Sequence, residues 1–292
     1  MKKTIIILLL AVLVACTPLN KDIGKVIRSG TQGLRMEFLQ NPAEIYEGST
    51  FSTLVELENR GAEDIRRGAY MLRTDDYLVD LSSSPTGTFQ LKGNLHSIGG
   101  LTRIQFKGLT KFLSSKTERT ATNLGFDACY EYQTLADANV CVDTDIVNNN
   151  PNKVCKPSTT GMAGGQGAPV AVTSVTTKMM PGEAEDTIIP QFVISVANTD
   201  GGILTAPASA LSTCTGRVIE REDLNKVAVQ AQLGGETLDC GEGIANIVDK
   251  TIVCTLDSGI PKSAGTYLSQ LGITLDYGYQ QTITQSFSIV KR

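Results

Sequence analysis

The sequence predicts an all-β protein built as two similar halves, and three observations predict it. Glycine is abundant at 28 residues while only 19% of the chain is charged, and with many Thr, Val and Ile this balance favours sheet over helix. Short segments of near period-two alternation recur between Gly, Pro and Asn, as strands with one wet face require. A pattern near the end of the first half then returns in the second. Leu124-Gly125-Phe126 followed by Cys129-Tyr130-Glu131-Tyr132-Gln133 matches Leu271-Gly272-Ile273 followed by Asp276-Tyr277-Gly278-Tyr279-Gln280 without a gap, displaced by 147 positions (271 − 124 and 277 − 130).

Taken in order, the chain opens on Lys2 and Lys3 and an apolar stretch over 5–14. That is the pattern of a signal peptide over residues 1–15, too short for a helical span, which needs about 20 residues. Leu13-Val14-Ala15-Cys16 resembles the lipobox of secreted lipoproteins, in which the cysteine is lipidated and becomes the mature N-terminus. An ordinary signal peptide ending near a cysteine is the alternative. The resemblance implies lipidation at Cys16, a membrane partner reached through that lipid, and export to the extracytoplasmic face or cell surface, with residues 16–32 as a lipidated tether. Two or more acyl chains, at about 0.8 kcal/mol per buried CH₂, anchor stably without a spanning helix.

From Leu34 the character changes. Residues 34–39 read as a strand ended by Asn41-Pro42, and 49–58 as a second, closed by Asn59-Arg60-Gly61. Further strands are expected at 69–73, 88–92 and 102–107, with turns at Ser82-Ser83-Ser84-Pro85 and Gly99-Gly100. Each copy of the repeat is expected to close as a hairpin, the first turning at Thr134-Leu135-Ala136-Asp137 into 138–142, the second running on into 284–290. In the second half 192–198 takes the place of 51–61, and 251–256 that of 103–107. Two copies of one all-β unit point to tandem immunoglobulin-like β-sandwiches at 33–150 and 169–292, with a barrel as the other architecture. Between them 151–168, with its run Gly161-Met162-Ala163-Gly164-Gly165-Gln166-Gly167, reads as a linker by composition. A strand follows it at Pro169-Val170-Ala171-Val172, where a phosphate-cradling loop would need a helix N-terminus.

A net charge of −4 and a pI near 5.2, with both signs interspersed, leave no electrostatic footprint for nucleic acid. Setting Cys16 aside, six cysteines remain: Cys129, Cys141, Cys155, Cys214, Cys240 and Cys254. In an exported chain these read as three disulfides. Six cysteines allow fifteen pairings. The preferred set joins Cys129 to Cys141 across the expected hairpin, Cys240 to Cys254 between neighbouring strands, and Cys155 to Cys214.

Catalytic chemistry is hard to place. His96 is the one histidine, so every Ser/His/Asp or Cys/His site would have to use it, and no serine stands in a Gly-x-Ser-x-Gly setting. Carboxylates cluster at Asp75-Asp76 and at Glu220, Glu222 and Asp223, without tryptophan anywhere to supply sugar platforms; they read as solvated charges. Asp143-Thr144-Asp145 with Asn148 behind it offers alternate oxygens; the loop reads first as a solvated hairpin exit with no cofactor expected, and Ca²⁺ held by Asp143, Asp145 and Asn148 is the other reading. Each Tyr-x-Tyr pair points to one face of its strand, and core packing is the expected role.

Gly30-Thr31-Gln32-Gly33-Leu34-Arg35-Met36-Glu37-Phe38, Tyr46-Glu47-Gly48, Val55-Glu56-Leu57-Glu58-Asn59-Arg60-Gly61, the 164–173 segment and Leu275-Asp276-Tyr277-Gly278-Tyr279 resemble the tandem Ig-like ectodomains of uncharacterised archaeal surface proteins. The strand ending in Asn59-Arg60-Gly61 is also similar to CARDB-type adhesion modules. The resemblance covers most of residues 30–292 and implies architecture and location. The expected function is a non-catalytic cell-envelope lipoprotein, an interaction or structural module whose partner is a surface protein or glycan. A small-ligand- or calcium-binding surface lipoprotein is the alternative.

Overall fold

Two long runs of alternating burial organise the chain. The computed structural model describes residues 28–292 apart from 41, 96, 97, 149, 150 and 250, so the expected signal peptide, the expected lipidation site Cys16, and His96 lie outside the described residues. The first half forms β1 (Leu34–Phe38), β2 (Glu44–Tyr46), β3 (Thr50–Asn59), β4 (Ile65–Arg73), β5 (Val79–Leu81), β6 (Thr86–Leu91), β7 (Leu101–Thr110) and β8 (Arg119–Asp143). The second forms β9 (Thr159–Gly161), β10 (Val170–Pro181), β11 (Thr187–Asn198), β12 (Ile203–Thr205), β13 (Lys226–Leu233), β14 (Glu236–Thr237), β15 (Ile244–Asn246), β16 (Thr251–Thr255), β17 (Ile260–Pro261) and β18 (Thr266–Val290). Helix among the described residues is confined to three-residue 3₁₀ turns, and the fold is all-β as expected.

β8 and β18 are each 25 residues long and pair antiparallel from end to end, without a bulge, about the central pair Glu131↔Gly278. They form the spine of a nine-stranded sheet, ordered β14-β13-β18-β8-β4-β6, to which β12, β15 and β2 also attach. Every even-numbered residue of β8 from Thr122 to Val142 is buried, and so are Leu271, Ile273, Leu275, Tyr277 and Tyr279 opposite them. One face of the spine is therefore core along most of its length.

Two smaller sheets cover that face side by side. The first, β1-β3-β7-β5, sets Phe106 against Phe126 (ring centroids 6.1 Å apart) and Phe51 against Phe287 (5.6 Å). The second, β16-β11-β10-β9 with β17 on β11, lies over the other end, where Thr134 Oγ1 donates to the Val170 carbonyl at 2.6 Å. Buried side chains of both ends belong to one continuous core cluster. The spine crosses the expected division into 33–150 and 169–292: Phe287 of the second half packs under the first small sheet, and Thr134 of the first half under the second.

Three expectations are corrected. Thr134-Leu135-Ala136-Asp137 does not turn, and β8 runs straight through it. The segment has no glycine or asparagine for a tight turn, and its Thr134 and Ala136 are buried in the core. Cys129 and Cys141 consequently sit twelve residues apart on one strand, about 40 Å at strand rise, where no disulfide can join them. The bridges are Cys129–Cys214, Cys141–Cys155 and Cys240–Cys254, with Cα atoms 5.9, 5.9 and 4.1 Å apart; only the last agrees with the preferred set. Finally, 151–168 is built into the fold. It contributes β9, its Gln166 amide clasps both backbone groups of Val172 (2.9 and 3.2 Å), and Gly30 N donates to the Gly164 carbonyl at 2.7 Å.

Candidate functional site at the junction of the two halves

The repeat places four tyrosines at the centre of the spine, where the two small sheets meet. Because β8 and β18 run antiparallel, Tyr130 faces Tyr279 and Tyr132 faces Tyr277. The rings close a cycle, with centroids 5.8 Å (Tyr130–Tyr132), 6.3 Å (Tyr132–Tyr277), 6.3 Å (Tyr277–Tyr279) and 5.9 Å (Tyr279–Tyr130) apart. Edge and tilted contacts at these distances contribute about 0.5–1.5 kcal/mol each beyond area burial.

Their hydroxyls are spoken for, in a pattern that repeats across an approximate two-fold axis. Tyr130 Oη accepts from Leu34 N (3.3 Å) at the start of β1, and Tyr277 Oη from Val170 N (3.4 Å) at the start of β10. Tyr132 Oη accepts from Glu63 N (3.2 Å), and Tyr279 Oη from Gly202 N (2.8 Å). Both of those turns are pinned alike, by Asn59 Nδ2 on the Glu63 carbonyl and Asn198 Nδ2 on the Gly202 carbonyl, each at 2.8 Å. The matched asparagines end β3 and β11, as the alignment of 51–61 with 192–198 anticipates. Burial pushes all four phenols well above their ordinary range, so they stay protonated donors and acceptors. Core packing, expected for the Tyr-x-Tyr pairs, is their role.

Close approach makes glycine obligatory here. A Cβ on Gly33 would stand 2.7 Å from Tyr130 Oη, and one on Gly61 would strike Tyr132 Oη and stand 2.8 Å from the Gly167 carbonyl oxygen. The two-fold pattern breaks at Asp200, whose carboxylate takes Gln281 Nε2 at 2.8 Å. Burial raises its pKa, against the lowering effect of the Gly33 amide and Gln281.

Beside the junction a cleft of about 290 Å³ is lined by Glu63, Asp64, Arg66, Glu131, Tyr132 and Asp276 among others. Its carboxylates are engaged: Glu63 with Arg28 (2.9 Å), Asp64 with Lys92 (2.7 Å), Glu131 with Arg67 (2.7 Å) and Asp276 with Gln133 Nε2 (2.7 Å). Each of these carboxylates thus has a partner, and Arg66 lines the cleft beside them.

The candidate calcium ligands lie at one end of the spine. Asp143 Oδ2 receives the Lys153 ammonium at 2.7 Å, with both side chains nearly buried, and Asp143 Oδ1 receives Thr266 Oγ1 (2.9 Å) and the Asp145 amide (3.1 Å). Lys153 also donates to the Asp145 carbonyl, and Asn148 contributes its backbone amide to Asp145 Oδ1 at 3.3 Å. The ammonium stands where the expected cation would. Burial alone would raise the Asp143 carboxyl, but Lys153, Thr266 and the Asp145 amide together hold it below its usual range. Sequence reading missed Lys153, although a Cys141–Cys155 loop would have signalled that it folds back. Among the described residues no group of three or more His, Cys, Asp or Glu is placed to hold a metal ion.

Of the six cysteines, Cys129 and Cys214 are buried with Ala69 on the outer face of the spine, beneath Leu211. That bridge ties the 206–225 connection, which carries three of the 3₁₀ turns, onto a strand of the other half. No protein-family model matches the chain, and no curated protein matches it.

Proposed function

We propose that this is an exported, lipid-anchored protein of the cell envelope, a non-catalytic interaction or structural module made of two immunoglobulin-like sandwiches sharing one spine. The observation that carries the reading is the unbroken 25-residue pairing of β8 with β18, in a body that also carries three disulfides. Such a body is long and stiff, and its sulfur bridges suit an oxidising compartment. Each small sheet facing half of the spine has the layered form of a sandwich. The four tyrosines are committed to packing and hydrogen bonding at the junction, and the six cysteines to disulfides.

Exposed apolar side chains stand at both ends, Tyr46, Tyr77 and Phe112 at one and Val147, Val154 and Leu268 at the other, and also between them, as at Ile203 and Val218. Such groups favour contact with a surface protein or glycan over free solvent. The resemblance to archaeal tandem Ig-like ectodomains and CARDB-type adhesion modules supports the same reading.

The test is mass spectrometry of the protein extracted from membranes of its own cells, followed by crosslinking there. A lipidated Cys16 N-terminus, oxidised cysteines and an envelope protein or glycan in the crosslinked product are expected. Recovery from the cytosol with free thiols would overturn the reading.

A further inference from the structure

The point at which the chain joins the fold determines how an N-terminal lipid would hold the molecule. Arg28 is fastened at its middle: the guanidinium Nε donates to Glu63 Oε1 at 2.9 Å. Gly30 exchanges backbone bonds with the 164–167 loop at 2.7 and 2.8 Å, and the Gly33 carbonyl takes the Arg60 and Gly61 amides at 2.8 and 3.0 Å. Glu63 is itself the residue whose amide binds Tyr132 Oη, one position from the central pair Glu131↔Gly278. From that pair each end of the spine is twelve residues away (143 − 131 and 131 − 119), about 40 Å at strand rise.

We infer that the protein lies along the bilayer, with the flank around Arg28 and Glu63 toward the lipid headgroups and both tips displayed alike, instead of standing on one tip. This rests on the lipid-anchor reading above. Cys16 is twelve residues from Arg28 (28 − 16), and twelve residues reach about 43 Å at most when fully extended. An upright molecule carries its midpoint at least its half-length, about 40 Å, above the surface, before the loops beyond the strand ends add to it. Only a tether drawn straight along the whole lower half would allow that. Every shorter span lowers the midpoint and brings the spine down toward the surface. Neither loop cluster is then a membrane-proximal base, and partners meet both tips from the side.

The experiment uses the full lipidated protein, purified from membranes and placed in vesicles of phosphatidylcholine and phosphatidylglycerol that carry a headgroup energy acceptor. A donor dye is attached through an azido amino acid, which spares the disulfides, at Tyr77 on one tip or Val147 on the other; both side chains are 90% exposed. Transfer at both tips, in a ratio near one, is the expected result. Strong transfer at one tip with none at the other overturns the orientation while leaving the anchor intact. Membrane association that survives Cys16→Ser overturns the anchor reading, and this inference with it.

Discussion

Removing the Cys129–Cys214 bridge should cost more stability than removing Cys141–Cys155, by an amount set by loop length. The first closes 85 residues and the second 14. In the chain-entropy treatment, closure removes about 2.1 + 1.5R ln n cal/mol/K from the unfolded chain, giving about 4.6 kcal/mol for the long loop and about 3.0 for the short one at 25 °C. The double variants Cys129→Ala/Cys214→Ala and Cys141→Ala/Cys155→Ala are to be compared by urea unfolding. At a slope of about 3 kcal/mol/M the midpoints should fall by about 1.5 M and 1.0 M. Burial reinforces the order, since Cys129 and Cys214 are both 1% exposed and their truncation also loosens the packing under Leu211. An equal or larger fall for the Cys141–Cys155 variant would refute the reasoning, and so would unchanged stability on removing Cys129, which would mean the long loop is not closed there.

Other perturbations read the junction and the end of the spine. Gly61→Ala should destabilise by about 1–3 kcal/mol through overpacking against Tyr132 and the Gly167 carbonyl, while Gly161→Ala, with nothing within 4 Å of the added carbon, should leave the thermal midpoint nearly unchanged. Tyr279→Phe removes bonds to Asn198 Oδ1 and Gly202 N and should cost about 2 kcal/mol in a denaturant titration, with far-ultraviolet circular dichroism unaltered. Lys153→Met should cost about 2 kcal/mol at pH 7 by leaving the Asp143 carboxylate without its counter-charge. Because the folded pKa of Asp143 lies below its unfolded value, that stabilisation is present above the ordinary carboxylate range and is lost as pH falls through the folded value; the gap between wild type and variant should close in acid-unfolding curves. A gap that persists at low pH would assign Lys153 a packing role instead.

Several features were legible because they follow from local chemistry. Alternation marked β3 and β7, the Asn-x-Gly pattern marked the turn after β3, and the even cysteine count marked three bridges. The duplicated Tyr-x-Tyr was visible because two copies at one offset are a property of the string alone. Whether those copies end in hairpins was not. Thr134-Leu135-Ala136-Asp137 reads as polar enough to turn, and it stays extended because Val170 and Tyr277 arrive from more than 35 residues away to hold Thr134. Once β8 runs straight, Cys129 and Cys141 are held apart and the disulfides must pair otherwise. In the same way Lys153 meets Asp143 inside the loop that the Cys141–Cys155 bridge closes. The sequence by itself determined strand propensity, the repeat and the stock of sulfur, since these rest on each residue and its near neighbours. Only the tertiary structure decided which strands continue, which cysteines meet and that both halves share one spine, because those outcomes depend on long-range pairing whose register no local pattern encodes.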